Sequence, residues 1–310
     1  MNHAPGLLIL AGPTAAGKTD AALAVARRWD VSIVSADAMQ VYRGMDIGTA
    51  KEPPEVLARF PHACVDVREP THEFTAADFA AEADRVLAES RAAGRGVVVV
   101  GGTGFYLRAL LVGLAPMPAA DPALRAELEA LPDPHAALAL VDPALAERLH
   151  PNDRMRVVRG LEVHTLTGRP LTDIWAEHAL SEPRHPAVRL WLDREDLDER
   201  IDRRVLMMME RGYLDEVRRL LDAGVPRTAK PMRSLGYRHL ADHLLDGLAL
   251  DEAVRRTQRD SRRFARKQRT FLRGLGDFRQ LDARDREALL EAAREALGPP
   301  QREGSAAAES

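Results

Sequence analysis

A chain of 310 residues with 45% hydrophobic and 29% charged content has the composition of an ordinary globular protein, with room for one large core and an appended unit. Its net charge of -3 excludes a uniformly basic nucleic-acid coat, so nucleic-acid binding would have to rest on local patches of Lys and Arg. The single cysteine, Cys64, excludes an internal disulfide, and with no cationic leader in Met1 to Gly12 and no apolar run near the roughly 20 residues that span a bilayer, a cytoplasmic protein without membrane attachment is expected.

Three apolar runs, Leu7 to Leu10, Val31 to Val34 and Val97 to Val100, are short and unalternating, and each is followed by Gly or a small polar residue, which predicts buried parallel strands. Helical patterns lie between them over Lys18 to Trp29 and Thr75 to Ala93, the second opened by a Thr75 cap with Asp78 three residues on. This βαβα order predicts an α/β protein built on a doubly wound parallel sheet. From Pro116 to Pro186 prolines recur among short Ala/Leu/Glu/Arg stretches, which predicts a small all-helical insertion. An alternating run, Val188 to Leu192, predicts a strand returning to the sheet, followed by helices over Leu197 to Asp222, Ser234 to Leu245 and Asp251 to Arg273. The expected division is a core over 1–116 and 187–297, an insertion over 117–186, and a tail over 298–310 whose low apolar content predicts disorder.

The stretch Gly12-Pro13-Thr14-Ala15-Ala16-Gly17-Lys18-Thr19 fits GxxxxGK[ST] and lies between the first strand and the first helix. Such a loop turns backbone amides onto phosphate oxygens, the helix N-terminus adds positive potential, and Lys18 supplies a full charge. These residues are therefore the expected diphosphate site, in a fold that commonly binds ATP, and the Thr19 hydroxyl is the expected ligand for Mg2+. A motor or switch NTPase ends its next catalytic strand in an Asp, but here that strand ends Val100-Gly101-Gly102-Thr103. The asparagines, Asn2 and Asn152, stand outside any guanine-reading setting, so hydrolysis-driven switching is not expected. The well-placed carboxylate is Asp37, just beyond the second strand at the edge where doubly wound sheets bind ligands; it could act as a base, hold a metal, or merely cap a turn.

On the last long helix Arg255, Arg259, Arg262, Arg266, Arg269 and Arg273 recur at spacings of four and three along one face, widened by Arg256, Arg263 and Lys267. Asp260 is the one acid from Arg255 to Arg273, so the face is expected to track nucleic-acid phosphates. Phe264 and Phe271 are expected to be core anchors and Met207 to Met209 helix core fillers. Neither Cys64 nor the ten histidines show zinc-ligand spacing.

The run from Ser35 to Lys51, Ser-Ala-Asp-Ala-Met-Gln-Val-Tyr-Arg-Gly-Met-Asp-Ile-Gly-Thr-Ala-Lys, closely resembles the hallmark of the tRNA dimethylallyltransferases, also called isopentenyl-transferases. Similar segments are Gly101 to Tyr106, His150 to Asp153 with Arg156 and Arg159, Arg233 to Arg238, and Arg262 to Arg273, which together cover most of residues 6 to 275. The resemblance implies transfer of a dimethylallyl group from its diphosphate to the exocyclic amine of the adenosine just 3′ of the anticodon, with the phosphate loop reused as a leaving-group site. It implies the tRNA anticodon stem-loop and dimethylallyl diphosphate as partners, and a monomer is expected. Asp37 then suits the base that takes the amine proton, Thr103 a hydrogen bond to the diphosphate or the amine, and Arg233 neutralisation of the leaving diphosphate from the opposite side. Contacts to tRNA are implied at Asp37, Ala38, Met39, Gln40, Thr103 and Arg233, and through the insertion at Arg125, Met155, Arg156, Val157, Val158 and Arg159. They are also implied at Ser234, Leu235, Gly236, Tyr237 and Arg238, and on the basic helix at Arg259, Arg262, Arg266 and Lys267. The sequence departs from the family pattern at Ala38, Met155 and Phe271, where Ser, Gln and Trp are usual. Rival readings are a small-molecule kinase of the same fold, a prenyltransferase acting on AMP, and an RNA-binding protein that holds a nucleotide as a structural ligand.

Overall fold

In the computed structural model, which describes residues 6–179 and 183–301, the three apolar runs and the alternating run form the middle of one parallel sheet. The strands are β1 (Leu7–Ala11), β2 (Val31–Ala36), β3 (His62–Ala63), β4 (Gly96–Gly101), β5 (Val188–Asp193) and β6 (Arg279–Asp282), in the order β3-β2-β4-β1-β5-β6. The edge strands β3 and β6 went unsignalled: one is two residues long, and the other reads Arg-Gln-Leu-Asp, with little to bury. The register sets Gly101 of β4 beside both Ala11 of β1 and Ala36 of β2. The segments after these three strands carry the phosphate loop, Asp37 and Thr103, and so emerge side by side.

Before the insertion the helices are α1 (Lys18–Ala26), α2 (Pro54–Arg59), α3 (Ala76–Ala92) and α4 (Gly104–Leu111). Thr75 caps α3 as expected: its hydroxyl accepts from the Asp78 N–H while the Asp78 carboxylate accepts from the Thr75 N–H.

A second compact unit spans Val112 to Arg184, against the 117–186 read from the prolines. It holds α5 (Pro122–Glu129), α6 (Pro134–Val141), α7 (Pro143–Arg148), α8 (Arg154–Thr167) and α9 (Leu171–Ala179). Three of the recurring prolines are helix starts: Asp121, Asp133 and Asp142 each cap a helix whose first residue is Pro. Leu138, Leu145, Val157, Leu161 and Leu171 give this unit its own core.

The chain then returns to the first unit with α10 (Leu197–Glu210), α11 (Tyr213–Asp222), a short 3-10 turn (Pro231–Arg233), α12 (Tyr237–Asp246), α13 (Leu250–Arg273) and α14 (Arg286–Leu297). The expected single helix over 197–222 is two, broken at Gly212, whose φ of 94° lies in the left-handed region. The main core packs α1 and α14 on the sheet through Leu8, Leu10, Val25, Trp29, Val98, Leu190 and Leu289. Disorder from Gly298 does not hold for its first residues: the Gly298 carbonyl accepts from Trp29 Nε1 at 2.9 Å, and the Gln301 side chain accepts from the Asp30 N–H. Residues 302–310, the rest of the expected tail, lie outside the described residues. No helix among the described residues is long and apolar enough to cross a membrane.

Candidate functional site

The phosphate loop leaves β1 at Gly12, where a Cβ would come within 2.3 Å of the Leu192 carbonyl oxygen, so β5 leaves room for glycine alone. Gly17 turns into α1 at φ 91°, a conformation glycine adopts without steric cost. Ala15 also lies at positive φ (63°), which strains a residue with a Cβ, and the strain is held from outside the loop. Arg200 of α10 donates from Nε to the Ala15 carbonyl, and Gln268 of α13 accepts from the Thr14 N–H while donating to the Gly102 carbonyl. Two helices from the far end of the chain thus fix the loop before a ligand arrives.

Thr14, Gly17, Lys18 and Thr19 line a cavity of about 480 Å³ together with Asp20, Asp37, Glu52, Arg200, Arg203 and Arg204. Lys18 donates to the Pro13 carbonyl at 2.7 Å; burial, aided by Arg204 and opposed by Asp37, lowers its ammonium to about 8. Burial, with Asp20 close by, raises the Glu52 carboxyl.

A second cavity, of about 650 Å³, adjoins the first and is lined by Ala38, Met39, Gly48, Thr49, Thr103, Phe105, Met208, Tyr213, Arg233, Leu235, Phe264 and Phe271. Both volumes suit small-molecule sites of roughly 300–1,000 Å³. The two share Thr14, Asp37, Gly102, Arg204, Phe264 and Gln268 as walls. One cavity is therefore charged and bounded by the phosphate loop, the other largely apolar, and a carboxylate stands where they meet.

Asp37 fills its turn role and keeps capacity beyond it. Its Oδ1 accepts from the N–H groups of Met39 and Gln40, while Oδ2 has no hydrogen-bond partner among the described residues. Thr103 Oγ1 accepts from the Ala38 N–H at 3.0 Å, which binds the end of β2 to the end of β4 and leaves the hydroxyl proton to donate elsewhere. Gln40 ties the following segment back on itself, accepting from Ser35 Oγ and donating to the Thr49 and Ala50 carbonyls. Glu216 of α11, 1% exposed, accepts from the N–H groups of Asp46, Ile47 and Gly48 and from the Tyr237 hydroxyl.

Several expected site residues are placed differently. Arg233 lines the second cavity and not the phosphate cavity; the arginine on both is Arg204. Ser234 donates to the Pro231 carbonyl, the Leu235 carbonyl accepts from the Tyr213 hydroxyl, Gly236 and Tyr237 are buried, and Arg238 pairs with Asp260; Arg233, Ser234, Leu235 and Tyr237 line the second cavity. Val157 and Val158 are buried in the insertion, so their side chains are not available to RNA. Arg125 and Arg159 fold onto Glu162, which is fully buried. Burial would raise the Glu162 carboxyl, but the two guanidiniums and the Asp121 N–H outweigh it and hold it low. Met155 and Arg156 do project outward, at 81% and 72% exposure.

The basic helix is partly neutralised by acids from other elements. Arg262 pairs with Asp202, Arg266 with Asp198, and Arg269 grips Asp193 through two nitrogens. Arg259 leans on Asp260, Lys267 faces the second cavity, and Arg273 stacks over Trp191. Phe264 and Phe271 are not core anchors: they are 41% and 40% exposed and wall the second cavity. Met207 and Met208 line the cavities rather than filling a core.

Arg204, Glu216 and Gln268 are the site residues that sequence reasoning passed over. Gln268 had a signal: with Ala265 and Leu272 it falls on the buried side of a helix otherwise crowded with charge.

The IPP transferase family model matches residues 40–275 of the chain. A tRNA dimethylallyltransferase of Geobacter sulfurreducens is 45% identical over 278 residues, covering 86% of this chain and 88% of its own. Among solved structures, the full-length tRNA isopentenylpyrophosphate transferase of Bacillus halodurans is similar with a TM-score of 0.69 at 34% identity, covering 93% of this chain and 94% of its own. A eukaryotic dimethylallyltransferase acting on tRNA reaches a TM-score of 0.76 at 26% identity, covering 90% of this chain and 74% of its own.

Proposed function

The chain belongs to the IPP transferase family, and from that premise we propose that it transfers a dimethylallyl group from dimethylallyl diphosphate to the exocyclic amine of the adenosine 3′-adjacent to the anticodon in tRNA, releasing pyrophosphate. The observation that carries this reading is Asp37 at the junction of a phosphate-loop cavity and an apolar one. The diphosphate is held by the loop amides and Lys18, the five-carbon chain lies towards Met208, Phe264 and Phe271, and the adenine enters past Thr103 and Arg233.

The amine of adenine is a weak nucleophile because its lone pair is delocalised into the ring. As its nitrogen bonds to the prenyl carbon, the carbon–oxygen bond breaks, the electron pair leaves with the diphosphate, and the amine proton passes to Asp37. The target base sits in a loop, where extrusion costs only a few kcal/mol.

Mg2+ fits the donor set: the Thr19 hydroxyl lines the phosphate-loop cavity, where a diphosphate would supply further oxygens, and no cluster of three or more His, Cys, Asp or Glu among the described residues offers an all-protein cage. Bound there, with the diphosphate as co-ligand, it would neutralise charge on the leaving group.

The test is incubation with labelled dimethylallyl diphosphate, Mg2+ and unmodified tRNA, beside AMP and ATP controls. Label in tRNA alone is expected. ATP consumption with the five-carbon donor ignored would make the protein a kinase instead, and label in AMP would move it to free nucleotides.

A further inference from the structure

The walls of the second cavity sort by exposure. Most are buried or half-buried; the exposed ones, among the described residues, are Phe105, Arg233, Phe264, Lys267 and Phe271. The rim is thus three aromatic rings and two cations, in a chain with seven phenylalanines in all. Rings beside cations at the edge of an opening are what unpaired nucleic-acid strands bind, the cations tracking phosphates and the rings stacking on bases.

The three rings are not equivalent. Phe264 walls both cavities and so stands at their junction. Phe271 lies against Gly104, where a Cβ would come within 2.1 Å of its ring. Both fall to the five-carbon chain in the reading above. Phe105 walls the second cavity alone and is the most exposed of the three, at 52%. The packing of α4 does not call for it: that helix buries Tyr106, Leu107, Ala109, Leu110 and Leu111, and Phe105 lies off this stripe. It follows Thr103 by two residues, so its ring stands at the entrance the adenine uses.

Extrusion of the target adenine breaks its stacking with both neighbours, and those neighbours stay at the rim while the adenine passes in to Asp37. We infer that Phe105 is a tRNA-binding residue whose ring stacks on a base flanking the extruded adenine, replacing stacking that extrusion removes. The inference rests on the prenyl-transfer reading above. Arg233 and Lys267, the cations of the same rim, suit the phosphates on either side of that base.

The test measures the affinity of the wild-type protein, Phe105→Ala, Phe105→Leu and Phe105→Trp for an anticodon stem-loop, and for the same stem-loop made abasic at the target position or at either neighbour. The Ala and Leu variants are expected to bind the intact stem-loop roughly 5- to 100-fold more weakly, and the Trp variant to restore binding. Removing one neighbouring base should cost the wild type a similar factor and the Ala variant little more, so that the two losses do not add. The donor KM and the slope of stem-loop affinity against salt should stay at wild-type values, since no charge is removed. Losses that add at both neighbours, or that couple to the target base alone, overturn the inference and leave prenyl transfer standing. So does a raised donor KM with stem-loop affinity unchanged, which would make Phe105 a wall of the prenyl pocket. A wild-type protein that shows the coupling but transfers no prenyl group overturns the function and leaves the stacking site.

Discussion

Lys18 works under an unfavourable balance: burial and Arg204 push its proton off, Asp37 pulls the other way, and the net result is a pKa of about 8. Below that pH the ammonium is charged and can hold a diphosphate; above it the charge is lost. The value of kcat/KM for the donor reports ionisations of the free enzyme, so it should be level in mildly acid and neutral solution and fall as pH rises through about 8. An ordinary lysine would hold the plateau to about 10.4. A pH series of donor kcat/KM checks this, and a profile level well past the lower value sets the assignment aside. Asp37 permits a cleaner substitution than alanine. Because its Oδ1 accepts from the Met39 and Gln40 amides, Asp37→Asn keeps the turn and removes only the base. Turnover should drop by roughly a hundred- to ten-thousand-fold with tRNA affinity retained. Single-turnover transfer beside a tRNA binding isotherm separates the two; loss of binding in parallel with turnover would make Asp37 a structural residue.

At the scale of elements, the sequence was legible where one element carries its own signal. β1, the phosphate loop and α1 follow one another in the chain, and the run from Ser35 to Lys51 is contiguous, so both were readable in one dimension. The rest depends on elements meeting. α11 reads as an ordinary amphipathic helix, yet its Glu216 holds the amides of Asp46, Ile47 and Gly48 and the hydroxyl of Tyr237, joining the hallmark loop to the segment that bears Arg233. Phe264, Phe271, Met207 and Met208 read as core because nothing local distinguishes burial against protein from lining a cavity. The basic stripe of α13 looked unopposed because Asp193 comes from β5 and Asp198 and Asp202 from α10. Glu216→Gln tests the loop tie. It puts an amide donor among groups that are all donors, so stability should fall by about 1–3 kcal/mol. Since Gly48, Thr49 and Arg233 wall the second cavity, KM for tRNA should rise while the donor KM stays near wild type. Denaturant melts and the two KM values decide it; equal changes in both would reduce Glu216 to scaffold.

Over the whole molecule, a net charge of -3 has to be reconciled with a polyanionic substrate. The reconciliation lies in which cations already have partners. On α13, Arg269 is about a quarter exposed and grips the more buried Asp193, whereas Arg266 is 56% exposed with Asp198 at 3.5 Å, and Lys267 is exposed with no acid bonded to it among the described residues. A phosphate can displace a loose, solvated partner far more cheaply than a buried bidentate one. The affinity for tRNA should therefore fall steeply with added salt, and Arg266→Ala or Lys267→Ala should each flatten the slope of log K against log salt by roughly 0.7–0.9. Arg269→Ala should leave that slope unchanged and instead destabilise the fold by about 1–3 kcal/mol, because Asp193 loses its paired guanidinium and keeps only the Arg194 N–H. Binding isotherms at a series of salt concentrations, with a denaturant melt for each variant, distinguish the two kinds of arginine. A slope that flattens for Arg269→Ala and not for Arg266→Ala or Lys267→Ala would place the RNA on the opposite edge of the helix.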